Sequence, residues 1–425
     1  MYTYKKEIPL RHTVDVFIAG GGPAGIAAAV AAARQGKKVF VAELAGFFGG
    51  GATAQLVPVF MQFTDGAGNF LAGGVGKEIH DLNGGSAINS EEIKIIYDNL
   101  VKNSGAEFSF FTNLLDVVTD AEGHVDYVIC NGKSGVFAVK AGVYLDCTGD
   151  GDLCAMAGAN FEFGDENRNV MGTTLCSSWA YIDWEKREFP ENRFIQKAYE
   201  DGVFRDLDLH LPGMFKINEK HGGGNISHCF NVDATDERSL TAAMIEGRRK
   251  LVEYTKYYKE YLKGFENMYM TASAPYLGVR ESRRITGDYV MTKQDFINRA
   301  SFDDEIGRYS YPVDIHESIP GKEAHASFEA DFQNLRYKAG ESYGIPYRAL
   351  IPQKLSNVLV AGRCMSTDRA MQSSIRVMPG CFITGQAIGI AATLALDVNN
   401  DVRKVSIEKL QSKLIEIGGY LPNRK

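Results

Sequence analysis

The sequence predicts an α/β protein in which a parallel-sheet domain is interrupted by an inserted α+β domain. Three observations predict it. Asp15 to Glu43 reads as strand, glycine turn, helix, strand and acid, in that order. Val143-Tyr-Leu-Asp146 is a second apolar strand that runs into Cys147-Thr148-Gly149-Asp150. Asn357-Val-Leu-Val-Ala361 is a third, far later in the chain, and it ends on Gly362-Arg363. Short buried strands that each stop at a glycine suit one sheet whose strand ends face a common ligand. The stretch between them has a different texture, with more aromatics and charges. The expected division is therefore 1–160 with 340–425, and 161–339 inserted between.

In the first unit each residue type has a reason. Val14 to Ala19 is rich in strand formers, and Ile26 to Arg34 is a strong helix former stopped by Gly36. Gly20, Gly22 and Gly25 have the G-x-G-x-x-G spacing. Gly20 permits the tight turn, Gly22 lets backbone approach a pyrophosphate, and Gly25 lets the helix pack close on the strand. With Pro23 and Ala24 they open a helix whose free N–H groups and dipole favour an anion. Val39 to Ala42 is the next strand, and Glu43 follows it. A carboxylate there can accept from a ribose hydroxyl, and it favours an unphosphorylated ribose.

Next in order come Phe47-Phe-Gly49-Gly50-Gly51-Ala52-Thr53. This second glycine cluster suits a cofactor that extends past its pyrophosphate; the alternative is a surface loop. Gly73 to Gly76 opens a helix with Lys77 to Leu82. Glu91 to Lys102 has helical apolar spacing, with Ser90 as N-cap candidate. Phe108 to Leu145 turns to a period of two, with strand candidates at Phe108–Phe111, Leu114–Val118, Val125–Ile129 and Val136–Val139. Within the inserted domain a long helix stands out, about Leu240 to Leu262, with Ser239 and Gly264 as candidate caps. Gly222-Gly223-Gly224 follows His221 rather than a strand and lacks the rest of a nucleotide motif, so no second nucleotide unit is expected. Near the end, Ser374-Ile-Arg376-Val-Met378-Pro379 opens a helix.

Composition bounds the function. The chain has 425 residues and a formal net charge of −7, which argues against nucleic acid and anionic membrane surfaces as partners. Seven cysteines show no C-x-x-C pair or Cys/His ligand spacing. Reduced thiols in a cytoplasm and no metal site are the expectation. A strand from Val14 leaves no room for a secretory apolar stretch. Cys381 to Leu396 is the most apolar run, and Gly385, Gln386 and Gly389 within it point to a buried helix rather than a membrane span.

Taken together, these residues resemble the FAD-dependent oxidoreductase family, whose wider relatives include the fumarate reductase and glutathione reductase-like flavoproteins. The general marks are Gly20 to Gly25, Glu43 and Cys147-Thr148-Gly149-Asp150. The narrower ones are Gly278-Val-Arg280-Glu-Ser-Arg283-Arg284, Asp314-Ile-His316, Ile345-Pro-Tyr347-Arg348, Ala361-Gly362-Arg363-Cys364 and Ser374 to Pro379. The resemblance implies a Rossmann-like, three-layer β/β/α FAD domain, a cap domain and an oxidoreductase. It implies that Gly22 to Ala24 take the pyrophosphate, Glu43 the ribose, and Gly50, Gly51 and Thr53 the far side of the cofactor. Leu114 or a neighbour would touch adenine through backbone, Thr148-Gly149 would close over the pyrophosphate, and Gly362-Arg363 with Arg376, Met378, Gly385 and Gln386 would approach the flavin. No counterpart of the fumarate reductase tethering histidine stands near Phe47 to Thr53, so the FAD should be non-covalent. Arg363, where aromatic hydroxylases carry Asp, speaks against a monooxygenase.

For the chemistry, His316 is the first candidate for proton transfer, with His228 and Tyr347 next; a structural histidine is the alternative. Arg280, Arg283 and Arg284 could clamp an anionic substrate or pair with Glu281. Arg376 could stabilise reduced flavin or hold a carboxylate. Cys364 is a packed or flavin-adjacent thiol, or a redox group. The leading function is oxidation or reduction of a small metabolite by hydride transfer at flavin N5, with electrons passed to oxygen, a quinone or a protein. An electron-carrying subunit and a non-catalytic flavin module are the competing readings. The oligomeric state, a homo-oligomer included, stays open.

Overall fold

The computed structural model describes residues 1–3 and 5–424. Its main sheet holds β1 (Leu10–Ala19), β2 (Val39–Ala42), β3 (Glu107–Ser109), β4 (Asn113–Thr119), β5 (Val125–Gly132), β6 (Gly135–Asp146) and β7 (Val358–Val360). The order is β3-β2-β1-β6-β5-β4, with β7 on the second half of β6. The strands β3, β2, β1, β6 and β7 run parallel, whereas β4, β5 and the first half of β6 form an antiparallel meander. Val16–Ala19 and all of β2 are buried. Their unbroken apolar runs follow from cover on both faces.

Two strands differ from the sequence reading. β1 starts at Leu10 rather than Val14, because Leu10, His12 and Thr13 continue the ladder along β6. The candidates Val136–Val139 and Val143–Asp146 are one strand, since β1 pairs with both, from Ala138 to Asp146.

Helix α1 (Pro23–Ala33) follows β1; α2 (Val75–Asn83), α3 (Ser90–Ser104), α4 (Glu237–Tyr261) and α5 (Met378–Ala395) are the other long helices of the argument. Asn89, not Ser90, caps α3 by accepting from Glu91 N at 3.1 Å. Asp236, not Ser239, caps α4, accepting from Arg238 N at 2.8 Å. Ser239 Oγ is occupied instead by Asp233 N. The far end of α4 closes at Leu262, before Gly264.

α1 and α5 carry almost no polar face, and every residue of α5 is buried. Its span Met378–Val398 is the one helix among the described residues long and apolar enough to cross a membrane, and here it is core. It crosses α1 through glycine. A Cβ on Gly385 would stand 2.2 Å from Ala24 O, and one on Gly389 2.5 Å from Ala28 O.

The smaller core gathers Leu175, Trp179, Leu251, Tyr254, Tyr257, Tyr258 and Leu277 between α4 and a four-stranded antiparallel sheet. That sheet includes Gly222–Asn225 as an inner strand. Side chains there would strike Ile182, Pro58 and Trp179 at 2.7, 2.1 and 2.9 Å. Its glycines are thus packing sites inside a strand, where the sequence shows none. The strand pair Glu305–Tyr309 and Tyr343–Pro346 joins the larger core through Ile306, Tyr309, Tyr343 and Ile345. Packing therefore bounds the smaller unit more tightly than 161–339.

Gly389→Ala tests the crossing. Alanine is the better helix former by about 1 kcal/mol, yet overpacking a filled contact costs about 1–3 kcal/mol. The thermal midpoint should fall; a rise would mean that α1 and α5 are not in backbone contact.

Candidate functional site

A cleft of about 410 Å³ opens where the ends of β1, β2, β6 and β7 meet the smaller domain. The first turn of α1 forms one wall. Gly20 has φ +90°, and a Cβ on it would meet Cys147 O at 2.7 Å. Gly25 lies against Gly20 O, where a Cβ would stand at 1.9 Å. Gly22 has nothing within 4 Å on its Cβ side, and no side chain caps the helix it begins. Its N–H groups remain for an anion. Gly50 is next to Gly22 and Pro23, Gly51 next to Met378, and Gly362 next to Ala24.

Glu43 lines the same cleft and accepts from Gly21 N at 2.6 Å and Ala45 N at 2.7 Å. Burial raises its carboxyl pKa, against the lowering effect of those backbone donors. Each oxygen keeps a lone pair for a hydroxyl. Leu114, Thr148, Gly149 and Arg363 complete this end. Arg363 pairs with Asp150, and among the described residues its Nε–H has no partner, as is the case for Arg376. Free helix N–H groups, a carboxylate beyond the second strand and two unpartnered guanidinium N–H groups fit a dinucleotide such as FAD.

The remaining wall gathers Thr174, Cys176, Asn225, Arg280, Tyr311, Asp314, His316, Arg376 and Met378. Arg280 donates to Gly172 O at 2.7 Å, Thr174 Oγ1 at 2.8 Å and Asn225 Oδ1 at 3.0 Å. Among the described residues no carboxylate lies within ion-pair range of it. Burial, then the charge of Arg376, pushes its pKa down to about 10. Arg376 donates to Asp314 Oδ2 at 3.1 Å and to Asp314 O at 3.0 Å. His316 has Nδ1 at 2.9 Å from His228 Nε2 and Nε2 at 3.4 Å from Asp314.

Several sequence candidates stand elsewhere. Arg284 bonds Glu281 at 2.6 Å and Gly164 O at 2.9 Å, away from the cleft. Arg283 bonds Asp152 at 2.7 Å. The Tyr347 hydroxyl donates to Val402 O and is buried. Thr53 donates to Phe48 O at 2.6 Å. Gly385 serves the helix crossing, and Gln386 Oε1 accepts from Val75 N to hold the start of α2. Cys364 is buried, with its thiol pKa raised well above the ordinary value by burial. Thr174, Asn225, Tyr311 and His210 have no sequence signal, for they come from loops or from the glycine strand. Asp314 is visible in the sequence only through its motif.

The family model for FAD dependent oxidoreductases matches residues 15–414. The chain belongs to that family. It is an FAD-dependent oxidoreductase of Rossmann-like α/β fold. No curated protein matches the chain. Solved structures give distant likenesses. A geranylgeranyl bacteriochlorophyll reductase-like protein from Thermoplasma acidophilum is 12% identical, covering 96% of this chain and 84% of its own, with a TM-score of 0.48. A myxobacterial chondrochloren halogenase is 12% identical over 95% of this chain and 78% of its own, at 0.46. The p-nitrophenol 4-monooxygenase of Pseudomonas putida is 13% identical over 95% and 84%, at 0.43. The substrates in those names are their own.

Glu43→Arg replaces an acceptor with a donor-only cation. Losing a hydrogen bond to a charged group costs about 1.5–3 kcal/mol, or about one to two decades of affinity. FAD should be released on dilution at a correspondingly higher protein concentration; unchanged occupancy would place the ribose elsewhere.

Proposed function

We propose that this flavoenzyme holds FAD in the cleft and oxidises or reduces a small anionic metabolite, by hydride transfer at flavin N5 and without a nicotinamide domain of its own. The observation that carries the reading is Arg280. It is a buried cation on the cleft wall whose three hydrogen bonds all go to neutral acceptors. Leaving a buried charge without a counter-ion costs several kcal/mol. A substrate carboxylate or phosphate at Arg280 supplies that counter-ion, and the guanidinium fork orients it.

Bound FAD supplies a two-electron acceptor or donor at its ring. The chain's residues do the rest. Arg280 fixes the anionic end of the substrate. Arg376 adds positive charge on the same wall, tempered by Asp314. Thr174 and Asn225 hold the Arg280 fork in place. Proton transfer falls to the histidine end of the cleft, where His316 stands. Burial, Arg280 and the neighbouring histidines lower the His316 pKa well below its ordinary value.

The test is anaerobic bleaching of the flavin by a panel of hydroxy acids, amino acids, sugar phosphates, polyols and neutral sugars. Anionic members should bleach it. Arg280→Met should raise the half-saturating concentration of the best substrate by about one to two decades, the range for a hydrogen bond to a charged group. FAD content should not change. A neutral polyol that bleaches the parent and Arg280→Met equally would refute the anionic substrate.

A further inference from the structure

Three histidines from separate loops meet beside the cleft. One ring nitrogen each of His210, His228 and His316 lies within 4.8 Å of the others. His228 and His210 each turn a ring nitrogen to a carboxylate at hydrogen-bond distance, and His316 has a carboxylate nearby. His228 Nδ1 is 3.0 Å from Asp208 Oδ2, and His210 Nδ1 is 2.9 Å from Glu317 Oε2. His316 Nε2 is 3.4 Å from Asp314 Oδ2. His228 is fully buried and His316 nearly so.

A carboxylate only accepts, so His228 Nδ1 and His210 Nδ1 carry the hydrogen and leave their Nε2 atoms bare. His228 Nε2 stands 2.9 Å from His316 Nδ1, which donates to it when no metal is bound. A metal ion would take the place of that proton, because ligating histidines bind through a bare nitrogen. Donors at about 2.0–2.1 Å around a tetrahedral ion stand about 3.3–3.4 Å apart, between the separations of 2.9 and 4.8 Å seen here. Carboxylate backing of each ligand is how metal-binding histidines are held and made more basic.

The geometry points to a divalent transition-metal site formed by His210, His228 and His316, with Asp208, Glu317 and Asp314 orienting the ligands. Three neutral imidazoles suit Zn²⁺, Cu²⁺ or Co²⁺ and not Mg²⁺ or Ca²⁺, which prefer oxygen. Three protein ligands leave one position open. His316 lines the cleft, so on the anionic-substrate reading above that position would take a substrate oxygen. Metal binding itself does not depend on that reading, and an ion bound there would occupy the His316 lone pair that proton transfer would otherwise use.

The experiment uses untagged, FAD-loaded protein, stripped with chelator and dialysed. It is titrated with Zn²⁺ by calorimetry and with Cu²⁺ by electron paramagnetic resonance. One Zn²⁺ per chain should bind tightly, and the Cu²⁺ spectrum should show coupling to three imidazole nitrogens. His210→Gln and His228→Gln should abolish the site while flavin absorbance stays at parental occupancy. Asp208→Asn should weaken Zn²⁺ by about 10–100-fold, the usual effect of losing an outer-shell partner. Absence of saturable binding, fewer than three coupled nitrogens, or Zn²⁺ affinity unchanged in His228→Gln would each overturn the site. If a glutamine variant loses its flavin, the parental Cu²⁺ spectrum and Asp208→Asn decide. Failure here would leave the bleaching pattern untouched, so the two readings fail separately.

Discussion

Backbone-on-backbone contact at the first turn of α1 is the constraint on which the rest depends. Gly20 is pressed by Cys147 O, and Gly25 by Gly20 O. Gly50 sits over Gly22, Gly362 beside Ala24, and Gly385 on the Ala24 carbonyl. Segments from both halves of the chain thus close on one turn of helix, and a side chain at almost any of these points would push one of them off. The turn has to stay bare for a second reason, because its free N–H groups favour an anion. Packing and binding ask for the same residue type, which is why glycine recurs just past the ends of β1, β6 and β7.

Charge is handled differently on the two sides of the cleft wall. Glu281 is fully buried and bonds both Arg284 and Arg369. In that cluster the charges are matched, although Arg284 Nε–H has no partner among the described residues, and it lies away from the cleft. Arg280, one residue before Glu281, lines the cleft with neutral partners only. Arg280 thus carries a buried charge without the matching carboxylate that Arg284 and Arg369 share. Arg376 is intermediate, bonded to Asp314 yet with a free Nε–H.

The parallel sheet, α1, α5 and the glycine-lined end of the cleft are legible in the sequence, for a local reason. Gly20 to Glu43 is contiguous, and each step has its own residue preference. The caps stand one to three residues from the serines that the sequence suggests. Asn89 and Asp236 compete with Ser90 and Ser239 for the N-cap position, and residue type alone does not rank them. The far end is less legible. Arg280 and Arg284 look equivalent in the sequence, and only tertiary placement sends one to the cleft and the other to Glu281. Tyr347 and Gln386 lie beside motif residues but turn to Val402 O and Val75 N. The three histidines come from positions so far apart that no ligand spacing could show.

The strand Gly222–Asn225 explains why the smaller domain is indispensable to the site. Its three glycines let it lie flush between Trp179, Met214 and Pro58. The chain leaves that strand through Asn225, which holds Arg280, and Ser227, whose φ of +73° turns the backbone sharply. His228 follows at once, with its backbone N–H on Asp208 Oδ2 at 2.9 Å and its ring on the same carboxylate. One carboxylate therefore fixes both the backbone and the ring of His228. Thr174 enters from the same domain, accepts from Arg280 and donates to Ser227 O at 2.9 Å. The smaller domain thus supplies the partners of the arginine and two of the three histidines, while the larger one supplies the glycine-lined end. The arginine and histidine end of the cleft exists only where the two meet.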